Sequence, residues 1–308
     1  MTLQQLRYIV AINRYRNFAR AAEVLGISQP TLSAMLVKLE DELDVRIFER
    51  SNKSVTPTLV GGKIIRQAEK VVMESGRVEE LVAEEKGELC KTFTLSVGPT
   101  ISPYILPKFI KHYVKDYPNV ELTIRELKSN AMFDAILNGE IDASIAISDQ
   151  KCEGVLEVPL YTENFYVYLS ENCWRKLAVF NPKDLEHESM WIMREAQCLR
   201  DSAFSFCKSR AKGHHIYEAG SIETLIRIVD ENGGFTIIPE MHLPFLADWQ
   251  RENVRRIDGD YLSQRRVSLY IKSDYVRQRM LKTVIDTLKK FMPEGMLQEG
   301  IVKYGIKL

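Results

Sequence analysis

Two cysteines nine residues apart, Cys198 and Cys207 in QCLRDSAFSFC, are the residues with most chemistry to offer. The preceding MWIMREAQ reads as a strand and loop, and LRDSAFSFCKSR reads as a helix with Phe204 and Cys207 near one apolar face. Cys198 therefore stands at or just before a helix N-terminus. There the unpaired backbone N–H groups and the helix dipole favour thiolate over thiol. Arg194 and Arg200 add to this if they point inward. If one helix carries both sulfurs, nine steps rise about 13.5 Å and turn about 900°, onto opposite faces. A disulfide needs Cα atoms about 4.4 to 6.8 Å apart, so bond and intact helix would exclude each other. Unpaired cysteines are also common in cores, and spacing leaves that second reading open. A metal site is the third: His214 and His215 lie nearby, but C-x8-C with adjacent histidines does not match zinc spacings. No metal and no cofactor is expected.

The elements that must position these thiols belong to a chain of 308 residues, enough for about two domains. Its start is broken by Arg7, Arg14 and Arg16, unlike an export signal, and no 18-residue apolar run occurs. A cytoplasmic protein is expected, where thiols stay reduced unless they have redox work. Net charge is zero, and residues 1–57 carry eight Lys/Arg against six Asp/Glu. Charge alone does not point to nucleic acid. Its placement does more.

Leu6, Ile9, Val10 and Ile12 mark a first amphipathic helix. NFARAAEVLG follows, with Asn17 as N-cap and Gly26 at the left-handed end. The next helix opens at Ser28 with Pro30 in its first turn, and turns Leu32, Leu36, Leu39 and Leu43 inward. Its outer side offers Ser28, Gln29, Pro30, Thr31, Ser33, Ala34 and Lys38, small enough to approach a major groove, with Gln29 able to pair with base edges. RIFERSNKSVTPT then reads as two short strands around a polar turn, a wing carrying Arg50 and Lys53. This is a winged helix-turn-helix for double-stranded DNA, spanning 1–57. Residues 58–87 repeat apolar side chains at helical, near-heptad spacing, and predict a linker helix that pairs with a second copy. From 88 to 308, strand-like runs (TFTLSVG, VELTIREL, IDASIAIS, FYVYLS, FTIIP, RRVSLYIK) alternate with helix-like runs at 103–116, 129–138, 199–209, 221–231 and 276–291. That alternation predicts a parallel α/β sheet in one or two lobes.

FARAAEVLGISQPTLSAMLVKLEDELDVRIFERSNKSVTPTLVG resembles the DNA-binding domain of LysR-type transcriptional regulators. The Ala-Ala pair, the Ser-Gln-Pro turn, Leu-Glu at 39–40, Phe-Glu-Arg at 48–50 and Thr-Pro-Thr stand in family order. CLRDSAFSFC followed by AGSIETLIRIV is similar to the hydrogen peroxide-sensing OxyR branch of that family. The resemblance implies a two-lobed, periplasmic-binding-protein-like regulatory domain and a regulator rather than an enzyme. It implies that peroxide oxidises Cys198 to sulfenic acid and that Cys207 resolves it as a disulfide. It implies a peroxide pocket of Thr100, Ser129, Gln197, Asp201 and Arg266, with Arg265 as second choice. Ser129 stands where the family has threonine. Gln197 replaces the usual histidine, and cannot carry a proton between about pH 5 and 8. A homodimer, assembled as a dimer of dimers on operator DNA and working with RNA polymerase on oxidative-stress genes, is implied as well. The alternative is a LysR-type regulator that answers to a small metabolite between its lobes, with structural cysteines.

Overall fold

The computed structural model describes residues 1–51, 54–147, 150–171, 189–193, 214–217, 221–257, 264–293 and 296–297. The chain divides into two compact units, Met1–Glu88 and Leu89–Leu308.

In the first unit, α1 (Leu3–Tyr15), α2 (Phe18–Leu25) and α3 (Gln29–Leu43) begin and end where local chemistry says they should. Thr2 and Gln5 form a capping box, Asn17 accepts from Arg20 N, and Ser28 accepts from Thr31 N. Each such cap is worth about 1 kcal/mol. Gly26 closes α2 at φ 67°, a left-handed conformation that glycine adopts without strain. The apolar faces meet in one core of Leu6, Ile9, Ile12, Ala22, Leu32, Leu36 and Leu39. Strands β1 (Phe48–Ser51) and β2 (Ser54–Pro57) pair antiparallel as the wing, with Phe48 opposite Pro57.

The linker helix α4 (Leu59–Lys86) is continuous over 28 residues, from an N-cap at Thr58 to a left-handed Gly87. Its first half is not bare. Ile65 and Ala68 are buried in the same core, with Ile64 and Val72 packed against it. Gly61 explains itself here: a Cβ would lie 1.9 Å from the Ile47 carbonyl oxygen. The glycine that weakens the helix start is what lets it touch the wing. Thr58 completes the junction, its N–H donating to Ile47 O at 3.0 Å and its hydroxyl to Arg46 O at 2.7 Å. The second half differs, leaving Val78 63%, Leu81 49% and Val82 49% exposed.

The second unit is a two-lobed α/β structure on one curled sheet, in the order β4-β3-β5-β11-β6-β9-β7-β8 with β10 beside β6. β3 (Thr92–Val97), β4 (Glu121–Glu126) and β5 (Ala143–Ala146) run parallel. So do β7 (Met190–Met193), β8 (His214–Tyr217) and β9 (Phe235–Pro239). The sequence predicts a parallel sheet, and the two flanks agree. The centre does not: β6 (Val155–Leu169) and β11 (Gln264–Lys272) pair antiparallel. At 15 residues, β6 is long enough to serve both lobes, pairing with β11 up to Asn164 and with β9 from Phe165. One core gathers around Phe93, Ile105, Tyr161 and Val284, the other around Phe165, Leu225, Val229 and Ile238. Helices α5 (Ser102–Asp116), α6 (Ser129–Leu137), α7 (Ile222–Asn232) and α8 (Gln278–Lys289) cover the sheet. The expected helix at 199–209 lies outside the described residues. Among the described residues, no helix is long and apolar enough to cross a membrane.

Candidate functional site

The helix α3 buries Leu32, Leu36 and Leu39 and leaves the opposite side to solvent. Gln29, Pro30, Thr31, Ala34 and Lys38 are exposed there, as is Ser28 at the cap, and Ser33 is half-buried. The Ser28 hydroxyl accepts from Thr31 N at 3.3 Å and lies 2.7 Å from the Thr31 hydroxyl. These two side chains therefore shape the helix end as well as line it. Gln29 is the exposed amide at that end, able to donate and accept along a base edge.

A residue that the pattern alone did not flag holds the wing to this helix. Glu40 is buried on the inner side of α3, one turn beyond Leu36. Its Oε1 accepts from Ile47 N at 2.7 Å and from Phe48 N at 3.1 Å, and Arg46 reaches Oε2 at 3.4 Å. A carboxylate at a position where an amphipathic helix should be apolar was the available signal. Arg50 lies in β1, and Lys53 is outside the described residues.

In the second unit, Gln197, Cys198, Asp201 and Cys207 lie outside the described residues. Thr100, Ser129, Arg265 and Arg266 do not. Thr100 sits in the loop between β3 and α5, and Ser129 opens α6 after β4. Because β3 and β4 are parallel neighbours, both hydroxyls emerge at the same edge of the sheet, the C-terminal edge where open α/β folds bind ligands. Ser129 donates to the Ile147 carbonyl at 3.0 Å, which ties it to the end of β5.

The guanidinium that joins this edge is Arg265. Its Nη1 donates to Thr100 Oγ1 and its Nη2 to the Thr100 carbonyl, each at 3.2 Å. Arg266, the arginine expected in the pocket, is exposed; successive residues of a strand face opposite sides. Arg265 is 5% exposed and pairs with Glu163, which is 1% exposed. Its Nε donates to Glu163 Oε1 at 2.7 Å, while Met241 N donates to Oε2 at 3.0 Å. The guanidinium also lies 5.7 Å from the Phe165 ring centroid. Glu163 and Arg265 are direct cross-strand partners on β6 and β11.

Behind this pair, the Tyr104 hydroxyl lies 3.0 Å from His242 Nδ1, with Phe245 against both rings. Burial pushes the Tyr104 phenol well above its ordinary range, with Arg265 drawing it back and Glu163 raising it further. Burial likewise lowers His242 to about 4, against a smaller upward pull from Glu223. His242 is therefore neutral near pH 7, and its Nδ1 can accept a hydrogen bond from the Tyr104 hydroxyl. Among the described residues, no group of His, Cys, Asp and Glu is placed to hold a metal ion.

Residues 3–62 match the model of the bacterial regulatory helix-turn-helix protein, lysR family, and residues 86–293 match that of the LysR substrate binding domain. The chain is 30% identical over 259 residues to the hydrogen peroxide-inducible genes activator of Haemophilus influenzae, covering 83% of this chain and 85% of the relative. Among solved structures, a full-length OxyR variant from Pseudomonas aeruginosa superposes with TM-score 0.76 at 30% identity, covering 97% of this chain and 98% of that one. A peroxide-bound cysteine-to-serine OxyR variant from Corynebacterium glutamicum gives 0.59 at 27% identity, covering all of this chain and 97% of that one.

Proposed function

The chain belongs to the LysR-type family of bacterial transcriptional regulators, on its OxyR branch, and we propose that it changes its hold on operator DNA when hydrogen peroxide oxidises Cys198. The observation that carries this reading is likeness to an OxyR over nearly the whole chain, DNA-binding and regulatory halves together. In the first step the Cys198 thiolate attacks one peroxide oxygen. The O–O bond breaks, sulfenic acid forms, and hydroxide leaves to take up a proton as water. In the second, the Cys207 thiol attacks that sulfur, the S–O bond breaks, and water departs as the disulfide closes. The sulfurs are oxidised and the peroxide is reduced, with no further oxidant.

Thr100, Ser129 and the Arg265 guanidinium supply the polar side of the pocket. Hydroxyls can donate to and accept from peroxide, and the guanidinium stabilises the hydroxide that develops as the O–O bond breaks. Gln197 and Asp201 complete the set by sequence position. On the DNA side, Gln29 and Ser33 read base edges while Arg50 and Lys53 engage phosphates. Two copies pair through the exposed apolar half of α4. Mass mapping of every thiol before and after one equivalent of peroxide tests the redox part. Cys198 and Cys207 should lose alkylation together and gain a disulfide-linked peptide; a Cys198 that stays alkylatable overturns the reading.

A further inference from the structure

We propose that Glu163 is a positioning residue for peroxide reduction, fixing the Arg265 guanidinium so that its terminal nitrogens present to Thr100. This rests on the reading of Cys198 as a peroxide-reactive thiol and names a residue of that same site.

The geometry is that of a handle and a working end. Glu163 takes the Arg265 Nε, the nitrogen nearest the side-chain stem, and both terminal nitrogens go to Thr100. Glu163 is itself held, because its second oxygen accepts from the Met241 backbone. Strand pairing fixes the two Cα atoms opposite each other, and Phe165 lies against the guanidinium. The arginine is thus restrained from two elements, β6 and the loop after β3, while the segment after β9 holds Glu163 in turn. Stability alone does not explain the arrangement. A buried ion pair seldom stabilises more than well-packed apolar side chains of the same volume. What apolar residues could not do is hold N–H donors at the sheet edge where Thr100 stands.

Glu163 also neutralises the charge it positions, and this gives the test its sign. Replacing it with glutamine loosens the guanidinium but leaves its charge less compensated, which does not disfavour the thiolate of the proposed site. The rates of Cys198 with hydrogen peroxide and with iodoacetamide should therefore separate. In full-length Glu163→Gln at pH 7, peroxide oxidation should slow at least tenfold, while alkylation of Cys198 holds or quickens. In an Arg265→Gln background, adding Glu163→Gln should slow peroxide no further. Should Glu163→Gln fail to fold, Glu163→Asp carries the test: it keeps the charge, shortens the handle, and should show the same selective loss. Equal slowing of both reagents, no slowing of either, or full additivity with Arg265→Gln overturns the proposal. A wild-type Cys198 inert to peroxide sinks the redox reading and this one together; a reactive wild type with unselective variants sinks only this one.

Discussion

Single side chains in this molecule are tuned by what is buried beside them, and His242 makes the point measurable. Its imidazole is lowered to about 4 by burial, while an unfolded chain would titrate it near 6.5. Between those values the unfolded state binds a proton that the folded state refuses, so stability rises with pH across that window. The sign is therefore fixed: this contribution is complete above about pH 6.5 and is lost as pH falls towards 4. Thermal melts of wild type should show a falling midpoint over that interval. His242→Gln, uncharged throughout, should flatten the fall even if it lowers stability at pH 7 by loss of the Tyr104 contact. An unchanged slope in the variant would assign the acid sensitivity to other groups. The same scale shows what strand alternation can reveal. Val267 and Leu269 face inward on β11, and period two carried back from Val267 places Arg265, not Arg266, inside. In β6 likewise, Glu163 stands between inward Tyr161 and Phe165. A charge at an inward position asks for a partner, and here each is the other's.

Elements were legible wherever their ends are written locally. Asn17, Gly26 and Ser28 bound α2 and α3 through bonds spanning three or four residues, Pro30 sits in the first turn where its missing N–H costs little, and no distant contact is needed to read them. The linker helix was legible as a helix, but not how it divides its apolar face. That depends on α1, whose core accepts Ile65 and Ala68 and stops short of Val78. The first half docks on this core, and the proposed pairing falls to the exposed second half. Val78→Asp with Leu81→Asp should therefore split the dimer without unfolding the monomer, since neither side chain belongs to the buried core. Placing carboxylates in the seam desolvates charge with no partner. Sedimentation should show monomers at micromolar concentration, with circular dichroism retaining the signal of a folded first unit. A dimer that survives both substitutions would move the pairing surface off this half of α4.

Across the whole molecule, the pieces hardest to read were those assembled by strand pairing between distant segments. Arg265 meets Glu163 across 102 residues and Thr100 across 165, and no local pattern encodes either distance. The antiparallel centre of the sheet escaped for the same reason: its neighbours are set by β6 spanning both lobes rather than by the order of strands in sequence. The proposed switch is a local question instead, because nine residues of spacing pose its conflict if one helix carries both sulfurs, and those residues lie outside the described ones. If residues 199–207 are helical when Cys198 is reduced, the disulfide to Cys207 requires that helix to open. Hydrogen exchange on reduced and disulfide forms should then show protection lost across that segment on oxidation. Cys198→Ser should keep its protection under peroxide, since an alcohol is not ionised near neutral pH and does not attack the O–O bond. Cys207→Ser should keep it too, while its Cys198 stalls at sulfenic acid and drifts to higher oxidation states. The two variants thus separate oxidation from bond closure, and only closure should open the helix. A mapped Cys198–Cys207 disulfide with unchanged protection would mean that one helix never carried both sulfurs, and the coupling between redox state and DNA binding would have to run through another part of the second unit.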